Sequence, residues 1–422
     1  MAPAVSQGPL SPAVDEAVDE MVGAAAFGNL HRDALAVVAD SGDARLGWLV
    51  SDLLRFTDDA GDEAALVDAF GRLTGTGVDD PAFAANAWGS VTDHLIAWNL
   101  PAPPAYRQRK AFLFEAIEPG WRPFFADRDS EIDWRLISWG GVLIDDRPLG
   151  DGEACPQGCI PALDDPPLTA ARDGDWYPDD RTVFGVIVGG EAVALPKNIM
   201  EVHEMVNLTI AGRRLGIPYC TLCGSAQGYF LDTLAPHSPA PVLRTSGLLS
   251  RSNKVMYDLT TRSVFNTFTG EALSGPLQDA VVTLKQTTVV ASSWGAWKRS
   301  HPETEIVAED GGIGEQYPLD PLRGRDDNGP IFPVGDVDPR LPVQGEVIGV
   351  IAPSGRAVAF PVEPARAALA AGDRPAAGGI ELRRDGDGLR ARVEGGDEVP
   401  AHQAFWFAWS QFHPDTLIWS RR

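Results

Sequence analysis

Thr182-Val-Phe-Gly-Val-Ile-Val188, then Gly189-Gly190, then Glu191-Ala-Val-Ala-Leu195-Pro196 is the stretch on which the reading of the fold turns. An apolar run rich in β-branched residues, a two-glycine break and a second apolar run predict a β-hairpin with a tight turn. The pattern returns later. Val347-Ile-Gly349-Val-Ile351, a turn at Pro353-Ser-Gly355 and Ala357-Val-Ala-Phe360-Pro361 repeat it. Each hairpin is followed, in the same order, by a second matching segment: Trp294-Gly-Ala-Trp297 with His301-Pro302-Glu303-Thr304, and Trp406-Phe-Ala-Trp409 with His413-Pro414-Asp415-Thr416. Two ordered matches predict an internal duplication, with one half at about 181–305 and the other at about 345–418.

Working outward, residues up to about 145 read as helical. Ser11-Pro12 is a capping serine with proline in the first turn. Leu46, Leu49, Val50, Leu53 and Leu54, then Leu66, Phe70 and Leu73, then Ala84, Trp88, Val91, Leu95 and Trp98 recur at helical spacing. His94 beside the third stripe reads as a packing or capping residue. Past Asp145-Asp146-Arg147-Pro148 the texture changes to glycine, proline and β-branched residues. The expected class is therefore α+β: an all-helical domain at 1–148, a β-rich first repeat at 149–310, a linker at 311–344 and a shorter β-rich second repeat at 345–422.

With 422 residues, 44% hydrophobic content and twelve tryptophans, the chain has material for more than one core. Its formal net charge of −24 argues against nucleic-acid or anionic-membrane binding, which requires a basic surface. Residues 1–10 lack the pattern of a secretory signal, and no run approaches ~18 apolar residues, so a cytoplasmic location without a membrane span is expected. Thiols there are reduced by default, which favours metal or redox roles over structural disulfides.

Four cysteines occur as two close pairs, Cys155-Pro-Gln-Gly-Cys159 and Cys220-Thr-Leu-Cys223. Gly224 directly after the second pair, and the strand-like Tyr229-Phe-Leu231 beyond it, are poor helix material. The pair reads as a metal knuckle or a strand-borne dithiol. His203-Glu204-Met-Val-Asn207 precedes it. Asn207 stands where a zinc-protease motif needs histidine, so that reading is rejected. His203 with Cys220 and Cys223 would make an open zinc or copper site with Glu204 as general acid/base; all four cysteines would make a closed zinc staple. Arg244-Thr-Ser246 through Arg251-Ser-Asn253 is dense in polar donors, so Ser246, Arg251 and Asn253, with Asn207, are candidate substrate contacts. His301 and His413, present in both halves, read as structural.

Several motifs occur together in order: Ile160-Pro-Ala-Leu-Asp164-Asp-Pro166, Gly185-Val-Ile187, His203-Glu-Met-Val-Asn207, Tyr219-Cys220-x-x-Cys223-Gly224, Ser246-Gly-Leu-Leu, Met256-Tyr-Asp258 and the closing His413-Pro-x-Thr. Over about residues 155–418 the chain resembles the domain-of-unknown-function family 3179. The family carries no settled activity. Some relatives are named as selenoproteins, and the resemblance implies that selenocysteine would stand at Cys220 or Cys223, with Cys223 preferred. Selenium implies redox or open-site chemistry rather than a passive staple, although this chain keeps sulfur at both positions.

Three functional classes are thus open. The leading one is an oxidoreductase-like enzyme acting on a small molecule through Cys220, Cys223, His203 and Glu204, as a dithiol or with zinc or copper. The second is a zinc-stapled binding module whose helical domain recruits a protein partner. A metal-dependent hydrolase is the third.

Overall fold

The computed structural model describes residues 2–151, 155, 157–232, 240–325 and 328–421; positions 326 and 327 of the expected linker, and 152–154, 156 and 233–239 of the first repeat, lie outside them. The chain divides into two compact units. The first takes residues 1–141 with two later returns of chain, 248–251 and 332–337; the second takes the rest.

The first unit opens as the sequence predicts. Ser11 Oγ accepts the amide of Val14 and Pro12 begins the helix Pro12–Ala25. Leu46, Leu49, Val50, Leu53, Leu54, Leu66, Phe70 and Leu73 are all buried. The third stripe is broken. Ala84 is exposed because the short helix Pro81–Ala85 stops at Asn86, whose side chain caps a new helix, Ala87–Trp98. His94 packs its ring against Phe83 and Trp98. At the centre, Lys110 donates to Asp52 Oδ1 at 2.6 Å, to the Tyr106 hydroxyl at 3.1 Å and to the carbonyl of Ile137 at 2.6 Å, and Tyr106 donates to Asp52 Oδ2 at 2.8 Å. The returning segments complete this unit: Ile137–Trp139 pairs antiparallel with 248–250, and Asp93 Oδ1 accepts the amides of Val334 and Gly335.

Helices first and a β-rich region after give the α+β class, and the described strands fall into five small sheets. In the second unit Thr182–Val188 and Glu191–Pro196 form the expected hairpin. Val188 faces Glu191 across a turn in which Gly189 and Gly190 both have positive φ, a conformation that suits glycine. Val290–Ser293 lies antiparallel on one side and Glu305–Val307 parallel on the other. The second hairpin, Glu346–Ile351 with Ala357–Pro361, is flanked in the same manner by Ala401–Phe405 and Leu417–Ile418.

The tryptophan corners match as well. Trp297 covers Gly185 and Trp409 covers Gly349, where a Cβ would overlap the indole. Their Nε1 atoms donate to Thr304 and Thr416 at 2.9 and 3.1 Å, and their rings sit 4.2 Å from those of His301 and His413. Glycine here is a matter of space for the ring. Among the described residues no helix is long and apolar enough to cross a membrane.

One acid-sensitive feature follows. His402 is buried with Nδ1 accepting from Gln286, and burial, then the charge of His413, holds its pKa down at about 3; burial alone holds His413 at about 4. Both imidazoles are neutral in the fold, while the unfolded chain titrates near 6.5. Between those values the unfolded state binds more protons, so stability is full above about pH 6.5 and falls as the pH drops towards 4. The expected slope is ~1.4 kcal/mol per pH unit for each histidine. Denaturant titrations at pH 7, 5.5 and 4.5 check this, and His402→Gln should flatten the dependence.

Candidate functional site

Strand Arg213–Cys220 runs directly into a single 3-10 turn, Thr221–Cys223, and Gly224 at φ 58° reverses the chain so that Ser225–Ala226 pairs back on Tyr219 and Cys220. The tight turn gathers the two thiols. Both lie against one acceptor, the carbonyl of Ser252, with Cys220 Sγ at 3.8 Å and Cys223 Sγ at 3.3 Å. Both are unbridged; Cys223 is fully buried and Cys220 is 4% exposed. Burial, followed by the neighbouring Cys220 thiol, pushes the Cys223 thiol well up. It remains protonated at neutral pH.

A charged pair sits alongside. Glu204 ends the helix Lys197–His203 in the left-handed region at φ 52°, with its amide on Met200 and its carbonyl on the amide of Tyr219. Its carboxylate accepts from Thr221 Oγ1 at 2.9 Å and lies 3.3 Å from the Lys254 ammonium, which also donates to the Glu204 carbonyl at 2.6 Å. Lys254 is buried. Desolvation lowers its pKa, while Glu204 first and then Cys220 and Cys223 pull it back up, so the amine, the carboxylate and both sulfurs form one electrostatic group.

Of the expected site residues, Cys220, Cys223 and Glu204 come together, and His203 does not join them. The left-handed turn at Glu204 sends consecutive side chains different ways. His203 Nδ1 meets the Pro161 carbonyl at 2.7 Å and Nε2 meets the Tyr317 hydroxyl at 2.6 Å. A carbonyl can only accept, so Nδ1 carries the proton and Nε2 accepts from Tyr317; burial lowers the ring's pKa.

Asn207 is occupied by Asp164 and by both backbone groups of Leu243, and Ser246 by the carbonyl of Val255. Arg251 belongs to the first unit. Asn253 is 2% exposed and neither polar atom of its amide has a partner among the described residues.

The other cysteine pair departs further from expectation. Cys155 and Cys159 form a disulfide, with Cα atoms 5.4 Å apart, inside the range a bridge requires. The four-sulfur staple is not assembled. Among the described residues, the Cys, His, Asp and Glu donors that gather in threes within 4.8 Å are those of Asp145, Cys155 and Cys159. Zinc needs at least three protein ligands, so the donor set at Cys220 and Cys223 does not fit the expected zinc centre.

Lys254 and the Ser252 carbonyl went unread in the sequence. Lys254 shares a face of the strand Asn253–Asp258 with Met256, and nothing in the local sequence marks it as a site residue.

The family model for a protein of unknown function, DUF3179, matches residues 157–376. The chain belongs to the DUF3179 family. The match holds the Cys220–Cys223 turn, Glu204 and Lys254, and ends before the second tryptophan corner at Trp409, short of the span that the motifs suggested. No curated protein and no solved structure matches this DUF3179 chain.

A polar cavity of about 260 Å3 in the second unit touches the same turn through Tyr219 and Gly224; it is also lined by Lys197, Arg366 and Gln403.

Proposed function

We propose that the second unit is a dithiol–disulfide oxidoreductase centre in which Cys220 and Cys223 cycle between two thiols and one disulfide. The observation that carries this reading is the placement of two free thiols on one carbonyl beside the buried Lys254–Glu204 pair. Cys220, the less buried sulfur, is the one that meets the substrate. Lys254 supports its thiolate, because an adjacent ammonium favours the charged form. The thiolate attacks a small oxidised sulfur compound, a disulfide R–S–S–R, forming a mixed disulfide and releasing one R–S⁻, which takes a proton. Cys223 then passes its proton to the Glu204 carboxylate and attacks the Cys220 sulfur, and the departing R–S⁻ takes that proton and leaves as the second R–SH. Two electrons and two protons pass from the protein to the substrate.

The absence of cysteines from the second tryptophan-corner sheet supports assigning chemistry to the first alone. We read the two sheets as copies of one module, of which only the first acquired a site.

Thiol-trapping mass spectrometry of the full chain across glutathione redox buffers tests the reading. A single two-electron transition at Cys220 and Cys223 is expected, lost in Cys220→Ser and in Cys223→Ser. Each variant should hold its melting temperature within about 4 °C, the scale of ~1 kcal/mol. Lys254→Met should slow Cys220 alkylation at neutral pH, since the neighbouring ammonium is lost. If both thiols stay reduced in every buffer, or if Cys220→Ser unfolds the chain, the pair is structural.

A further inference from the structure

The disulfide lies over a buried charge cluster that such a bridge does not itself require. Asp145 is fully buried. Its Oδ1 accepts from Arg147 Nε at 2.7 Å, and its Oδ2 from the amide of Ala162 at 2.7 Å and from the Arg147 guanidinium at 3.1 Å. Arg244, also fully buried, grips Asp164 through two nitrogens at 2.9 and 2.6 Å and turns Nε towards Asp145 at 3.6 Å without a hydrogen-bond partner. The carboxylate is thus fixed by a second shell, and it lies in one group with both sulfurs, all within 4.8 Å. An isolated parallel bridge pairs the backbone at Cys159 with Leu143, two residues before Asp145.

We propose that Asp145, Cys155 and Cys159 form a redox-gated site for a thiophilic divalent cation such as zinc, closed while the bridge stands and opened by its reduction. Two thiolates and a carboxylate are three protein ligands of the type zinc takes, leaving a fourth position for water or substrate. The charge also balances. Asp145 and Asp164 are matched by Arg147 and Arg244, so the cluster is neutral around the disulfide. A dication with two thiolates keeps it neutral, whereas two bare thiolates would leave uncompensated buried charge.

A dithiol reductant supplies two electrons and two protons, becoming a disulfide itself, and leaves two thiols. Metal binding then displaces their two protons. The site rests on different residues from the Cys220–Cys223 reading, and either stands without the other.

The test is zinc uptake by the full chain, reduced anaerobically with a phosphine and titrated against a chromophoric chelator. One equivalent should bind to the reduced protein and none to the oxidised protein. Cys155→Ser and Cys159→Ser should each abolish uptake, and Asp145→Asn should weaken it about tenfold or more. Cys220→Ser with Cys223→Ser should leave uptake intact. Because Asp145→Asn disturbs an internal ion pair, the cysteine variants, which carry no buried charge, decide if that protein fails to fold. Uptake that is equal with and without the bridge, that survives Cys155→Ser, or that follows Cys220 and Cys223 would overturn the proposal.

Discussion

Asp52→Ala should cost the helical unit about 3–5 kcal/mol, the scale for stripping one partner from a buried ion pair. Lys110 is 1% exposed, and its three hydrogen-bond partners are Asp52, the Tyr106 hydroxyl and the Ile137 carbonyl. Burial already lowers the pKa of the ammonium, and the Asp52 charge is the largest influence raising it again. Without Asp52 the lysine must lose its proton, draw in water or open the helices. Tyr106 loses its acceptor at the same time. A fall in melting temperature on the order of 10 °C is expected. The pair is specific rather than intrinsically stabilising, so Asp52→Leu combined with Lys110→Met should recover most of the loss. If thermal denaturation shows Asp52→Ala within a degree or two of the parent, the charges are solvated and this account of the core is wrong.

Gly349→Ala should be nearly as damaging for a different reason. One methyl group would overlap the indole of Trp409, which is almost fully buried, tied to Thr416 through Nε1 and packed at a tilt against His413. An overpacked core ordinarily costs about 1–3 kcal/mol, and a ring with no free direction belongs at the top of that range or beyond it. Gly185→Ala should behave alike against Trp297. Trp409→Phe shortens the ring, so the double variant Gly349→Ala, Trp409→Phe should lose less than the sum of its parts. Chemical denaturation of the four proteins supplies the cycle, and strict additivity would remove the steric explanation.

What the sequence made legible is what local chemistry dictates. Ser11-Pro12 starts a helix because a hydroxyl and a ring-locked φ suit a first turn wherever they occur, and Gly189-Gly190 turns a hairpin because positive φ is free to glycine. The Cys220–Cys223 turn followed the same logic, since Gly224 and the strand-like residues beyond it are poor material for the helix that a thioredoxin-type pair would open. The rest depends on direction in space. His203 and Glu204 are adjacent, yet the left-handed turn between them places one ring on Pro161 and Tyr317 and the other side chain on Lys254. No spacing rule reports that divergence. Lys254 came from a strand some thirty residues beyond the cysteines, and Cys155 found Cys159 where a reducing compartment predicted free thiols.

The two late returns of chain into the helical unit bear on anyone who would cut it out. Cleavage after residue 141 strands Ile137–Trp139 without its hydrogen-bonding neighbour at 248–250 and deprives the Asp93 carboxylate of the amides of Val334 and Gly335. A gene fragment that looks self-sufficient on paper would express a body missing two of its own walls. Its natural borders are drawn in space, and a faithful excision would have to graft back both distant loops.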